Sequence, residues 1–159
     1  WWAVQATLFA WSPQIMYRWR AFLLRPFGAK IGKNVVIRPS VKITYPWKLT
    51  LGDNAWVGDD AVLYTLGDIT IGANSVVSQK CYLCTGSHDY MSQHFDINAQ
   101  PITLGEKCWL ATDVFVAPGV SIGDGTVVGA RSSVFKSLPA NKLCRGNPAV
   151  AIRERVETE

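Results

Sequence analysis

No run of apolar residues in this chain is long enough to cross a bilayer, no block of five like charges occurs, and only two histidines are present. The most apolar stretch, WWAVQATLFAW at residues 1–11, falls short of the roughly 20 residues that a spanning helix needs. The lack of a charge block argues against a nucleic-acid tail, and aromatic and basic residues do not interleave over the body of the chain. Nucleic acid is therefore not expected as a partner. No small-residue cleavage site follows a basic start, so no signal peptide is expected. Four cysteines without an export signal read as reduced cytosolic thiols. The chain opens on Trp1 rather than Met, which leaves room for an upstream segment.

What is present is ordinary for a globular protein. The 159 residues suit one domain with a real core, at 48% hydrophobic and 18% charged. The net charge of +4 is mild and fits anionic partners such as phosphates or an anionic membrane face.

The strongest signal is a repeat. Positions 31, 37, 43, 51, 57, 63, 71, 77, 83, 104, 110, 116, 122, 128 and 134 are all Ile, Leu or Val, residues that form only about a quarter of the chain. Gly follows at 32, 52, 58, 72, 105, 123 and 129. Four residues after a starter the side chain is usually small or β-branched, as at Val35, Ala55, Ala61, Ser75, Cys81, Cys108, Val114, Thr126 and Ser132. Six-residue spacing fits neither a helical turn nor a heptad. It fits a short strand plus a tight corner, with the aliphatic starter inward and Gly or Asn-type residues at the turn. Three such sides close a triangular coil, and stacked coils pair their strands in parallel about 4.8 Å apart. From 31 to 51 to 71 the period is 20, so those coils carry two extra residues at one corner; from 104 to 122 it is 18.

This pattern, over about residues 30–153, resembles the hexapeptide-repeat acyltransferases. The resemblance implies an all-β fold, a left-handed parallel β-helix, with the hand taken from the family rather than from the usual right-handed crossover rule. The expected organisation is an aromatic and basic helical cap over residues 1–29, the β-helix over 30–138 with an extruded loop at 89–101, and a C-terminal cap over 139–159 ending in a short helix. In the first cap, Ser12-Pro13 reads as an N-cap and N1 pair. Ile15, Trp19, Phe22, Leu23 and Pro26 fall on one helical stripe, flanked by Arg18, Arg20 and Arg25. That combination suits both a plug for the first coil and a peripheral contact with an anionic membrane.

The repeat breaks at CTGSHDY. The coil stops at His88 and restarts near Leu104, with DYMSQHFDINAQP between, and loops of that length are usually functional or disordered. The family places a general-base histidine at this point, after a Thr-Gly or Ala-Gly pair. Imidazole suits the role because it exchanges its proton near neutrality. A 20-residue coil stacks Asp68 under His88, where it could accept the other ring N–H. Asp96, in the loop, is the rival partner. Cys81-Tyr-Leu-Cys84 followed by His88 could read as a zinc site, but Cys81 and Cys108 occupy small inward positions of the repeat, so no metal is expected.

The stretch EKCWLATDVFVAPGVSIGDGTVVGARSSVFKSLP is similar to the last coils of galactoside and maltose acetyltransferases. That similarity implies acetyl-CoA as co-substrate. It puts Trp109 beside the acceptor and thioester, Thr112 and Ala130 on the pantetheine arm, and Lys136 and Arg153 near the nucleotide end. Arg131 and Arg145 add cations for phosphate in the same coils. The family's acceptor-binding Asn falls at Gly58 here, followed by Asp59 and Asp60, so a different acceptor is expected, held by Asp59, Asp60 and Asp96. WWAVQATLFAWSP, LYTLGDITIG and CTGSHDY are similar to members that O-acetylate a sugar hydroxyl of an exopolysaccharide precursor, which can be lipid-linked. The family implies a homotrimer working in the cytoplasm. Alternatives are another small acceptor, such as a nucleotide sugar, an antibiotic or serine, and a β-helical scaffold without chemistry.

Overall fold

Each turn of the repeat lays down three short strands, and successive turns stack them into three parallel sheets in the computed structural model, which describes residues 1–156. Face one stacks Lys30–Ile31, Leu49–Leu51, Ile69–Ile71, Ile102–Leu104 and Ser121–Ile122. Face two stacks Val36–Ile37, Trp56–Val57, Val76–Val77, Trp109–Leu110, Val127–Val128 and Lys142–Gly146. Face three stacks Lys42–Ile43, Val62–Tyr64, Tyr82–Cys84, Phe115–Val116 and Ser133–Val134. The registers match the sequence spacing. Leu51 lies opposite Ile31 and Ile71, twenty residues away on each side, and Leu104 lies opposite Ile122, eighteen away. Every aliphatic starter but Ile31 is buried, and Ile31 is half-buried against the same core.

Corners demand left-handed backbone, and the residues there tolerate it. Between faces one and two, Asn34, Asn54 and Asn74 all have φ between 53° and 59°. Their side-chain amides form a ladder: Asn34 Nδ2 donates to Asn54 Oδ1 at 3.3 Å and Asn54 Nδ2 to Asn74 Oδ1 at 3.0 Å. The extra residues of the longer coils sit at the corner between faces three and one, where Pro46–Lys48 forms a short 3-10 turn.

The bottom coil has an open edge on every face, and the N-terminal segment closes all three. Arg25 Nη2 donates to the carbonyls of Ile31 and Gly32 on face one. Arg20 Nε donates to Ile37 O on face two at 2.6 Å. On face three, Trp1 Nε1 donates to Ile43 O and Gln5 Oε1 accepts from Ile43 N, both at 2.7 Å. Backbone groups that would otherwise be left unpaired at a sheet edge are thereby satisfied.

This cap differs in detail from the sequence reading. Residues 2–9 are already helical, and the next helix, Tyr17–Leu24, starts after Met16 rather than at Ser12-Pro13. Ser12 does not cap it. Its hydroxyl donates to Phe9 O and accepts from Arg20 Nη1. Ile15 therefore lies off the helix and is exposed, as is Phe22, whereas Leu23 is buried. Pro26 falls in the short 3-10 turn Arg25–Phe27. Arg20 is fully buried and is not a flanking surface cation.

The C-terminal helix is also corrected. Lys142–Gly146 pairs in parallel with Val127–Val128, and Ala149–Glu154 returns antiparallel along it after a turn at Asn147-Pro148. The top coil leaves an unpaired edge on face two, and satisfying it outweighs the helical propensity of IRERVETE, whose last three residues lie outside the described ones. Among the described residues no helix is long and apolar enough to cross a membrane.

Candidate active site

His88 does not sit on a coil corner. At Gly86 the chain leaves face three and forms a hairpin, Gly86–His88 against Ile97–Ala99, antiparallel, with His88 opposite Ile97. The ring is exposed, and its Nδ1 lies 2.6 Å from the backbone carbonyl of Phe95. A carbonyl can only accept, so Nδ1 carries the proton and Nε2 presents a lone pair when the ring is neutral. The hairpin loop is itself tied: Asp89 N donates to Asp96 O at 2.9 Å, and the Ser92 hydroxyl donates to the Asp96 carboxylate.

This arrangement corrects two expectations. His88 leaves the column that would stack it over Asp68, because hairpin pairing replaces coil pairing from Gly86 onward. Asp68 is exposed at the corner between faces three and one, where its backbone carbonyl accepts from Ile102 N. Asp96 is one link away from the ring and spends its carboxylate on Ser92. Phe95 was not found from the sequence, since what it supplies is a backbone carbonyl and no side-chain signal marks it.

The other expected residues gather mostly on the corner between faces two and three. Backbone bonds run up this corner from Lys80 N to Asp59 O, Asp113 N to Gln79 O and Arg131 N to Thr112 O. Asp59, Asp60, Thr112, Ala130 and Arg131 thus share one column. Thr112 Oγ1 donates to Gln79 O at 3.2 Å, and Arg131 lies 3.7 Å from the Asp113 carboxylate. Arg145 ends the column, exposed on Lys142–Gly146. Arg153 is on face two opposite Leu143, while Lys136 lies past face three, apart from the column.

At the lower end the column borders a cleft lined by Arg38, Trp56, Asp59, Asp60, Ser78 and Lys80. Arg38 Nε donates to Asp59 Oδ2 at 2.8 Å, and the Ser40 hydroxyl donates to Asp59 Oδ1. The bond to Asp59 raises the pKa of Arg38. Trp109 stands half-exposed on face two, its Nε1 donating to Ser78 Oγ at 3.0 Å. The sequence reading missed Arg38, Ser40 and Ser78. Each occupies the same corner one coil from a named residue, so coil arithmetic could have found them. At Gly58, where the resemblance would place an Asn, a Cβ would meet Gln79 N at 2.7 Å, too close for a side chain without a shift of the backbone.

The cysteines serve the core. Cys81, Cys108 and Cys144 are buried, and burial raises all three thiols, Cys81 to about 11. Cys81 Sγ lies 3.1 Å from Ala111 O. Among the described residues no group of three or more His, Cys, Asp or Glu is arranged to hold a metal ion.

With this geometry, likeness to known proteins is informative. Residues 119–136 match the family model for the hexapeptide repeat of succinyl-transferase. The chain is 87% identical over all its 159 residues, and 87% of the relative's length, to a protein of Escherichia coli K12 provisionally assigned as the colanic acid biosynthesis acetyltransferase WcaF. It is 30% identical to the galactoside O-acetyltransferase of the same organism, over 85% of this chain and 68% of that one. A galactoside acetyltransferase structure in complex with coenzyme A superposes with a TM-score of 0.88 at 27% identity, covering 97% of this chain and 78% of the other. The chain belongs to the hexapeptide-repeat acetyltransferases, enzymes that transfer an acyl group from an acyl-CoA.

Proposed function

We propose that this enzyme moves the acetyl group of acetyl-CoA to a sugar hydroxyl of a colanic acid-like exopolysaccharide precursor, with His88 as general base. The observation that carries the chemistry is the 2.6 Å contact from His88 Nδ1 to Phe95 O, which leaves Nε2 as the basic atom. Nε2 takes the hydroxyl proton as the oxygen attacks the thioester carbonyl. Collapse of the adduct forms the acetyl ester, and the departing thiolate takes the proton from the imidazolium. Support for the acceptor comes from the 87% identical relative, and from carboxylates at Asp59 and Asp60 beside an exposed indole, a surface suited to sugar hydroxyls and the apolar face of a ring. Trp109 would border the reacting groups. Thr112 and Ala130 would line the pantetheine arm, with Arg131, Lys136 and Arg153 at the phosphates.

His88 follows face three, whereas the Thr112–Arg131 column precedes it. A complete site therefore joins His88 of one copy to the column of the next, which a homotrimer provides. Face three also displays a ladder of rings, Tyr64, Tyr82, Phe115 and Phe135, with successive centroids 5.8–6.4 Å apart, apolar surface that a second copy can cover. Four unpaired cysteines fit work in the reducing cytoplasm, where acetyl-CoA is available. The test is mass spectrometry of polysaccharide precursors incubated with acetyl-CoA. The gain of one acetyl group by a sugar is expected, and His88→Ala should slow it by about 10²–10⁴ while leaving CoA affinity intact. A folded His88→Ala enzyme with turnover within about twofold of the parent would sink the assignment.

A further inference from the structure

The charge of this chain is segregated along the solenoid. Residues 1–52 hold eight Lys and Arg and no Asp or Glu, whereas residues 53–159 hold eight basic and twelve acidic residues. Since residues 1–52 form the cap, the bottom coil and the start of the next, the asymmetry becomes a field along the stacking axis, positive at the capped end. Four of the eight basic residues are engaged within the chain: Arg20 is buried on backbone carbonyls, Arg38 is paired with Asp59, Lys48 donates to Leu66 O, and Arg25 uses one guanidinium nitrogen on the Ile31 and Gly32 carbonyls while staying exposed. Arg18, Arg25 and Lys33 are exposed and line one cleft beside Trp19 and Phe22.

The same end carries apolar surface that the cap leaves uncovered. Trp11 is 86% and Ile15 83% exposed, with Leu8 and Phe22 more than half exposed. A groove lined by Leu8, Trp11, Pro13, Met16 and Trp19 runs beside the basic cleft, and Trp19 belongs to both. Apolar and basic surface thus adjoin with no carboxylate among the lining residues.

We propose that this end of the solenoid docks on the surface of an anionic lipid bilayer, with Trp11, Ile15 and Leu8 at the acyl boundary and Arg18, Arg25 and Lys33 against lipid phosphates. Indole and aliphatic side chains gain by entering the interface, and each nearby cation adds attraction to an anionic leaflet. A purely phosphate partner such as RNA would leave the apolar half of the surface unused. Docking end-on would leave Thr112, Ala130, Arg131 and the strand that leads to His88, all on higher coils, clear of the membrane.

Co-sedimentation of the full chain with vesicles tests this without acceptor or acetyl-CoA, so its outcome is independent of the catalytic reading. Binding is expected to phosphatidylcholine vesicles containing about one third phosphatidylglycerol, and far less to phosphatidylcholine alone. It should weaken as ionic strength rises from about 0.05 M to about 0.5 M. Arg18→Gln with Lys33→Gln, which leaves the Arg25 contacts to the first coil in place, should lower the partition at least about tenfold. Trp11→Ala with Ile15→Ala should also lower it, with circular dichroism and acetyl transfer to a soluble acceptor unchanged. Equal sedimentation with and without vesicles overturns the proposal. So does an apolar variant that changes only the oligomeric mass, which would make this face a contact between copies.

Discussion

At the scale of single residues, buried polar groups decide more than exposed ones. Arg20 donates to the carbonyls of Ile37, Pro13 and Gln14 and to the Ser12 hydroxyl. Burial lowers its pKa, with Tyr17, whose ring lies 5.3 Å from the guanidinium, acting the other way. Arg20→Met would leave buried carbonyls unpaired and should destabilise the protein by about 3 kcal/mol, read from urea unfolding. Arg20→Lys should recover only part of this, because an ammonium cannot reproduce the planar fork. Cys81 makes a prediction in pH. Its thiol rises from the ordinary 9.0 to about 11 in the fold, so between those values the unfolded chain releases a proton that the folded chain keeps. Stability is then full below about pH 9 and falls toward about pH 11, by up to about 2–3 kcal/mol from this group. Unfolding midpoints across that range should show the decline, and Cys81→Ala should make it shallower.

At the scale of elements, the hairpin at residues 86–99 and the corner at Gly58 carry separate tasks. The hairpin sets the His88 ring through Phe95 O, and Asp96 with Ser92 braces the loop that presents that carbonyl. Asp96→Ala should therefore lower kcat with little change in KM for acetyl-CoA, and its pH profile should keep the imidazole limb that His88→Ala loses. Asp68→Asn should do little, since the ring is held elsewhere. An Asp68→Asn enzyme as impaired as Asp96→Ala would reverse these roles. At the corner, Gly58→Ala drives a Cβ into the backbone of the coil above and should cost on the order of 2 kcal/mol, visible as a lower Tm.

At the scale of the molecule, the three faces differ in what they offer a partner. Face one shows outward Thr50, Thr70, Thr103 and Ser121 in line, a polar surface, whereas face three shows the ring ladder. His88 and the Thr112–Arg131 column lie on either side of face three. Light scattering should give the mass of a trimer. A monomer retaining full turnover would show that one chain completes the site alone.

The sequence by itself determined the coil. Fifteen aliphatic starters at six-residue steps can be buried together only by a three-sided solenoid, and the length of each coil follows from counting. It also marked His88 by the break in that count, and it put Ala130 one 18-residue coil above Thr112. Tertiary structure decided what periodicity does not encode. The loop folds into a hairpin, which lifts His88 out of the column over Asp68 and gives its ring a backbone partner. Residues 149–154, the start of the charged tail included, become a strand because the last coil has an edge to satisfy. Arg20 turns inward because the first coil has carbonyls to cap. Each departure occurs where the repeat ends or is interrupted, since there the unpaired groups of a sheet edge, rather than local propensity, set the chain's path.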